Sequence, residues 1–227
     1  MLDKSKNIMV VIAHQDDETI GCGGTISKLS SQGKNVYVVF MTDGSTGYTE
    51  ENQAEDIVSI RKSESYSACS MLGVKDVMCL NNPTQRLINS QPNFHMITEL
   101  IRKIKPEIVI THSHEDQHRD HRTTFEIVKE ATWKAGESSL PELGKPHQPH
   151  ALLTCEVSDV IKNPSVYVDI GNHFDDKMKA FSAYDSQKEI VKKYKNFMNG
   201  ISLVRGFESG CTRAEAFFVE KTYKADH

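Results

Sequence analysis

Apolar residues come in short unbroken runs, and between these runs they recur every three or four positions. The runs Ile8–Ala13, Val36–Thr42, Asp76–Leu80, Glu107–His112, Ala151–Val157 and Val166–Ile170 are predicted strands. They are continuous rather than strictly alternating, as expected when both faces of a sheet are covered. The intervening stretches predict helices. Thr25–Ser31 is closed by Gly33, and Glu51–Leu72 by Gly73, a residue suited to a helix C-terminus. Phe94, Ile97, Ile101 and Ile104 lie at helical spacing, and Pro106 ends that helix. A further helix starts near Arg119 and runs past Phe125 and Val128. This strand–helix–strand order predicts an α/β, Rossmann-like fold: a mostly parallel sheet flanked by helices. The 227 residues suit one domain, 1–227, without internal repeats. Residues 43–50 and 134–149 read as loops. The second is long and aperiodic, either a solvated connector or a lid or binding loop at the rim of a site. Residues 224–227 read as a frayed tail.

Composition narrows the function classes. The net charge is −4 and no long basic stretch occurs, so no nucleic-acid partner is expected. The run Ile8–Ala13 is too short for a signal core or a membrane span. A cytoplasmic protein without membrane insertion is therefore expected. Cys22, Cys69, Cys79, Cys155 and Cys211 are scattered and form no CxxC pair, which favours reduced thiols over disulfides. Cys22, near the first polar cluster, reads as a packing residue rather than a ligand.

Two polar clusters stand out. AHQDDE (13–18) follows the first apolar run, and THSHEDQHRDH (111–121) overlaps the end of the fourth. Carboxylates this crowded need a positive charge among them. In the strand order 3-2-1-4-5, strands 1 and 4 are neighbours at the point where the chain direction reverses, and ligands bind in the crevice beyond their carboxyl ends. The site is therefore expected at the C-terminal ends of strands 1 and 4. His14 and Asp17 are three residues apart, as are His118 and His121, so each pair can share a face of a helical turn. Two or three such groups plus water suit a divalent metal, most naturally zinc with one open position. An arginine network built from Arg61, Arg119 and Arg122 is the alternative neutraliser.

These residues resemble a known family. AHQDDETIGCGG (13–24) is similar to the AHPDDE signature of the PIG-L/LmbE-type zinc-dependent N-deacetylases, and HRDH (118–121) to their H-x-D-H motif. Further similar segments are RKSESYSACSMLGV (61–74), PEIVITHSHEDQHRDHRTT (106–124), VYVDIGNHFDDKMKAFSAYDSQ (166–187), which ends in a Tyr-x-Ser-Gln, and AEAF (214–217). The resemblance implies one zinc ion per site, held by His14, Asp17 and His121. It implies Asp16 as general base toward a water acidified by the metal. A protonated His118 would stabilise the oxyanion, and Asp120 would hold and charge that histidine. The departing amine would take its proton from His118 or Asp16. Arg61 matches the family's substrate-contacting arginine, although a helix-surface pair with Glu64 or Glu55 fits the sequence as well. Glu18 would start the helix and support a ligand. Gly21, Gly23 and Gly24 read as close backbone packing.

The implied substrate is a small N-acetylated sugar, sugar nucleotide or glycoconjugate, and members of such families often assemble as homo-oligomers. Three positions depart from the pattern. Gln15 replaces a proline, Asp116 stands where a tyrosine is frequent, and Thr84 stands nearest a sugar-contacting aspartate. Tyr48 is a candidate to supply the missing hydroxyl. The departures leave two alternatives: a metal- or nucleotide-binding module without catalysis, and a hydrolase of a non-sugar or glycosyl-thiol amide.

Overall fold

The computed structural model describes residues 1–47 and 56–223. Its elements in chain order are β1 (Asn7–Ile12), α1 (Asp17–Ser31), β2 (Asn35–Thr42), α2 (Ile57–Met71), β3 (Asp76–Asn82), α3 (Gln91–Ile104) and β4 (Ile108–His112). They continue with α4 (Arg119–Ala135), β5 (Ala151–Cys155), β6 (Val166–Asp169), α5 (Phe174–Phe181), α6 (Lys188–Ser209) and β7 (Ala214–Thr222). The seven strands form one sheet in the order β3-β2-β1-β4-β5-β7-β6. The first five are parallel, and β7 inserts antiparallel between β5 and β6. The Rossmann-like expectation is met, including the 3-2-1-4-5 order. β1 is the switch strand: Ile8 pairs with Val36 on one side and Ile108 on the other.

The apolar runs are continuous because successive side chains point to opposite faces of a sheet covered on both sides. Ile8, Val10 and Ile12 join one core cluster, with Ile26 and Leu29 of α1, Ala68 of α2, Phe181 of α5 and Met198 of α6. Met9 and Val11 join the other, with Ile97 and Ile101 of α3 and Ile127 and Val128 of α4. Among the described residues no helix is long and apolar enough to cross a membrane.

The observed helices differ from the predicted ones in places. α1 begins at Asp17 rather than Thr25, but it is kinked at Cys22, whose φ is −150°. Past the kink, the Gly24 and Thr25 N–H groups donate to the Glu215 carboxylate at 2.9 and 2.7 Å. Thr25 thus does start a helical segment, capped by a residue far away in sequence. α2 starts at Ile57, and the expected 51–55 portion lies outside the described residues, as do Tyr48, Glu55 and the tail 224–227. The largest correction concerns 134–149. This segment joins the end of α4 to the start of β5, so it lies at the N-terminal end of the sheet and does not rim the crevice. The Arg102 guanidinium binds it through the carbonyls of Lys134, Ala135, Glu137, Ser139, Leu140 and Gly144, at 2.6–3.2 Å.

Candidate active site

β1 ends at Ile12, and the chain turns at once through Ala13–Asp16 into α1. Asp16 takes φ 117° and ψ −29°, a left-handed conformation for a residue with a Cβ. Such conformations cost on the order of 1–3 kcal/mol and persist where the surroundings impose them. The turn is held from several directions. The Gln15 amide donates to the Thr42 carbonyl at 2.8 Å, and Arg61 donates to the Gln15 carbonyl. The His14 N–H donates to Asp17 Oδ2 at 2.8 Å. Hydrogen bonds thus hold the turn at the position where the family pattern has a proline.

Three atoms from the two clusters meet in a triangle. His14 Nδ1 lies 3.2 Å from Asp17 Oδ2 and 3.1 Å from His121 Nε2, and Asp17 Oδ2 lies 3.3 Å from His121 Nε2. Ligand bonds of about 2.0–2.1 Å in tetrahedral geometry separate neighbouring donors by roughly 3.3 Å. Each histidine is backed by a carboxylate: His14 Nε2 lies 3.1 Å from Asp120 Oδ2, and His121 Nδ1 lies 3.0 Å from Asp116 Oδ2. Such carboxylate–histidine pairs fix the ring and raise its basicity toward a metal. The electrostatics point the same way. Burial lowers the pKa of His121, but the charge of Asp17 and the hydrogen bond to Asp116 outweigh it and push it up to about 10. The buried carboxylates therefore demand a cation at this point, and without a metal a proton on His121 supplies it. The residues fit a divalent ion.

His112 also touches the cluster. It stacks on His121 with ring centroids 3.9 Å apart, and its Nε2 lies 3.4 Å from Asp17 Oδ2. Asp17, His112 and His121 form a second set close enough to hold an ion, and His14, His118 and His121 another. However, His112 Nε2 accepts the Ala13 N–H at 2.8 Å, so its lone pair is already engaged. Burial, and then the charge of His121, lowers His112 to about 4, which keeps it neutral.

His118 is half-buried at the mouth of the site and caps α4, its Nδ1 accepting the Asp120 N–H at 3.2 Å. A neutral ring held this way carries its proton on Nε2, which lies 3.3 Å from Gln85 Nε2, itself a donor, so the Nε2–H finds no acceptor there. Its pKa is lowered, by burial first and then by His14. This direction favours the neutral ring over the expected imidazolium. The Asp120 carboxylate holds His14 and the Gln85 N–H, the latter at 2.8 Å, and not the His118 ring.

Asp16 is buried, with Oδ2 3.4 Å from Arg61 Nη2. Burial raises its pKa to about 7, with the Arg61 charge pulling against the rise. Arg61 itself is 5% exposed, so it faces Asp16 and Gln15 rather than open crevice. It has no surface pair with Glu64, whose carboxylate binds Ser186 instead. Arg119 and Arg122 form no neutralising network with the clusters, and Arg122 binds the Asp116 and Gln117 carbonyls. Thr84 packs against Asp43, its N–H donating to Asp43 Oδ1 at 3.2 Å. Glu18 is fully buried and accepts from the Asp16 N–H, Thr19 and Tyr184. Cys22 is buried in the core cluster. Gln85 carried no sequence signal, and Tyr184 carried only its place in the Tyr-x-Ser-Gln segment. At the same end of the sheet, a cavity of about 540 Å³ lies between residues 113–115 and 159–163.

The family model PIG-L, described as GlcNAc-PI de-N-acetylase, matches residues 9–132, more than half of the chain and both clusters. The chain belongs to the PIG-L family. A probable N-acetyl-alpha-D-glucosaminyl L-malate deacetylase 2 of Bacillus cereus is 30% identical, over 82% of this chain and 86% of its own length. The structure of the N,N'-diacetylchitobiose deacetylase of Pyrococcus horikoshii superposes with a TM-score of 0.87 at 28% identity, covering 96% of this PIG-L chain and 85% of that one. GalB, the 4-carboxy-2-hydroxymuconate hydratase of Pseudomonas putida, superposes equally well, with a TM-score of 0.86 at 20% identity over 98% and 99%. That likeness concerns the fold alone, so activity within the PIG-L architecture is argued from the site.

Proposed function

We propose that this chain is a metal-dependent hydrolase that removes an acetyl group from the nitrogen of an N-acetylated sugar or glycoconjugate. The observation that carries the reading is the triangle of His14 Nδ1, Asp17 Oδ2 and His121 Nε2, with a carboxylate behind each histidine and Asp16 beside it. His14, Asp17 and His121 would hold the metal, and two nitrogens with one carboxylate oxygen suit zinc. When bound, the metal supplies Lewis acidity toward the amide carbonyl and lowers the pKa of a water toward roughly 7.

This chain's own residues do the rest. Asp16, with its pKa raised to about 7, takes the proton of the attacking water. Arg61 fixes the Asp16 carboxylate, and the left-handed turn aims it. The His118 Nε2–H donates to the carbonyl oxygen as negative charge develops there. The carbon–nitrogen bond breaks, and Asp16 returns the proton it took from the water to the departing amine. Asp116 and Asp120 orient the two histidine ligands. The sugar class rests on the family match and on the substrates for which the two deacetylases are named, both of which carry N-acetylated glucosamine units.

The test is acetate release, followed with metal content, over a panel of N-acetylglucosamine conjugates that includes a glycosyl-thiol amide and non-sugar amides. Turnover on a sugar amide, lost with chelator and restored by zinc, is expected. Turnover on non-sugar amides alone would move the substrate class. Stoichiometric metal with no amide cleaved would make the chain a binding module.

A further inference from the structure

Asp16 holds a conformation that an L-residue resists, and something must keep it there. Its N–H donates to Glu18 Oε2 at 3.1 Å. Glu18 Oε1 accepts the Tyr184 hydroxyl at 2.6 Å and the Thr19 hydroxyl. Glu18 and Tyr184 are both 0% exposed. Tyr184 stands 166 residues from Glu18 in sequence, in the connection between α5 and α6. The residues that follow it reach two further supports of the same turn. The Ser186 N–H and hydroxyl both donate to Glu64 at 2.7 Å, three residues along α2 from Arg61. The Gln187 amide donates to the Gly47 carbonyl, in the loop packed against the Arg61 guanidinium. One four-residue segment thus grips the start of α1, the middle of α2 and the loop after β2, the three elements that surround Asp16.

We propose that Tyr184 is a positioning residue for the hydrolysis: its hydroxyl fixes Glu18, Glu18 fixes the Asp16 main chain, and that main chain aims the Asp16 carboxylate at the metal-binding triangle. The inference rests on the reading of Asp16 as the base. Neither Tyr184 nor Glu18 belongs to the ligand triangle, so their loss acts on the rate and not on metal occupancy.

The experiment compares zinc-loaded wild type with Tyr184→Phe, Glu18→Ala, Glu18→Gln and Asp16→Asn. Crystal structures are paired with steady-state kinetics and zinc stoichiometry, using N,N'-diacetylchitobiose as the probe. Tyr184→Phe is expected to lower kcat about 10-fold and Glu18→Ala roughly 100-fold, the scale on which misplacing a catalytic group acts. KM and zinc content stay within about twofold of wild type, as a kcat-only effect requires. Glu18→Gln keeps an acceptor for the Asp16 N–H and a partner for the tyrosine, and restores most of the rate. In the crystals of Tyr184→Phe and Glu18→Ala, the Asp16 φ leaves its positive value. An Asp16 φ unchanged in both variants overturns the proposal, whether or not the probe is turned over. Wild-type kcat in both, with Asp16→Asn inactive, also overturns it, and so does a rate loss that tracks zinc loss. Full turnover by Asp16→Asn overturns instead the reading of the base.

Discussion

The two ends of the parallel sheet both bury charge, and they handle it differently. At the N-terminal end, the Arg102 guanidinium is 2% exposed and surrounded by six main-chain carbonyls. Its charge is spread over fixed dipoles, and the ring of acceptors closes around it. At the C-terminal end, Asp16, Asp17, Asp116 and Asp120 crowd around His14, His112, His118 and His121. There Asp120 Oδ1 and His112 Nδ1 are buried without a hydrogen-bond partner among the described residues, and the Asp16 backbone is strained. A closed shell of acceptors holds a loop in place. The triangle of His14 Nδ1, Asp17 Oδ2 and His121 Nε2, three donor atoms meeting at one point, is arranged for something that arrives later.

The sharpest way to break this contrast is at the open end. Asp16→Asn should lower kcat roughly 10²- to 10⁴-fold while metal content measured by atomic absorption stays at the wild-type level. An unchanged rate would leave the crowding without a catalytic purpose. At the closed end, Arg102→Met should cost about 3 kcal/mol of stability in urea unfolding, because several buried carbonyls lose their donor. Its kcat should stay within twofold, and a selective kcat loss would show that the loop at 134–149 serves the site after all.

A smaller effect separates support from chemistry within the site. Asp116→Asn should weaken zinc affinity roughly 10- to 100-fold by competition titration, with kcat at saturating zinc little changed. A further effect concerns stability without metal. The pKa of Asp16 rises from the model-peptide value of 3.8 to about 7 on folding, mainly through burial. Between those values the folded chain binds more protons at this group than the unfolded chain does. Its contribution is therefore fully present below about pH 4 and lost as pH rises through 7. Metal-free Asp16→Asn should consequently melt above wild type at pH 8, with the gap closing toward pH 4. A gap that widens on acidification would contradict the raised value.

Much of this was legible in the chain. A sheet covered on both faces leaves unbroken apolar runs, and those runs located six of the seven strands and the switch point between β1 and β4. The motif spacing then placed both clusters in one crevice. Side-chain direction was not legible. His118 and Asp120 are neighbours in sequence, but residues two apart on a helix do not face each other, so the Asp120 carboxylate reached His14 across the crevice. Tyr184 and Glu215 act across 166 and 191 residues, beyond any local pattern. The position of 134–149 could have been reasoned from topology, since a helix following a parallel strand returns the chain to the opposite end of the sheet.

The insertion of β7 between β5 and β6 has a consequence for biosynthesis. β6 meets the sheet only through β7, and the second segment of α1 is capped only when Glu215 arrives. Lys177, buried against that same carboxylate at 2.7 Å, waits for it too. On the ribosome, strands β1 to β5 emerge in an order that allows them to pair as they appear. The second segment of α1 waits for a cap made nearly two hundred positions later. Two of the three proposed ligands, His14 and Asp17, are therefore made long before the C-terminal strand that joins β6 to the sheet and caps α1.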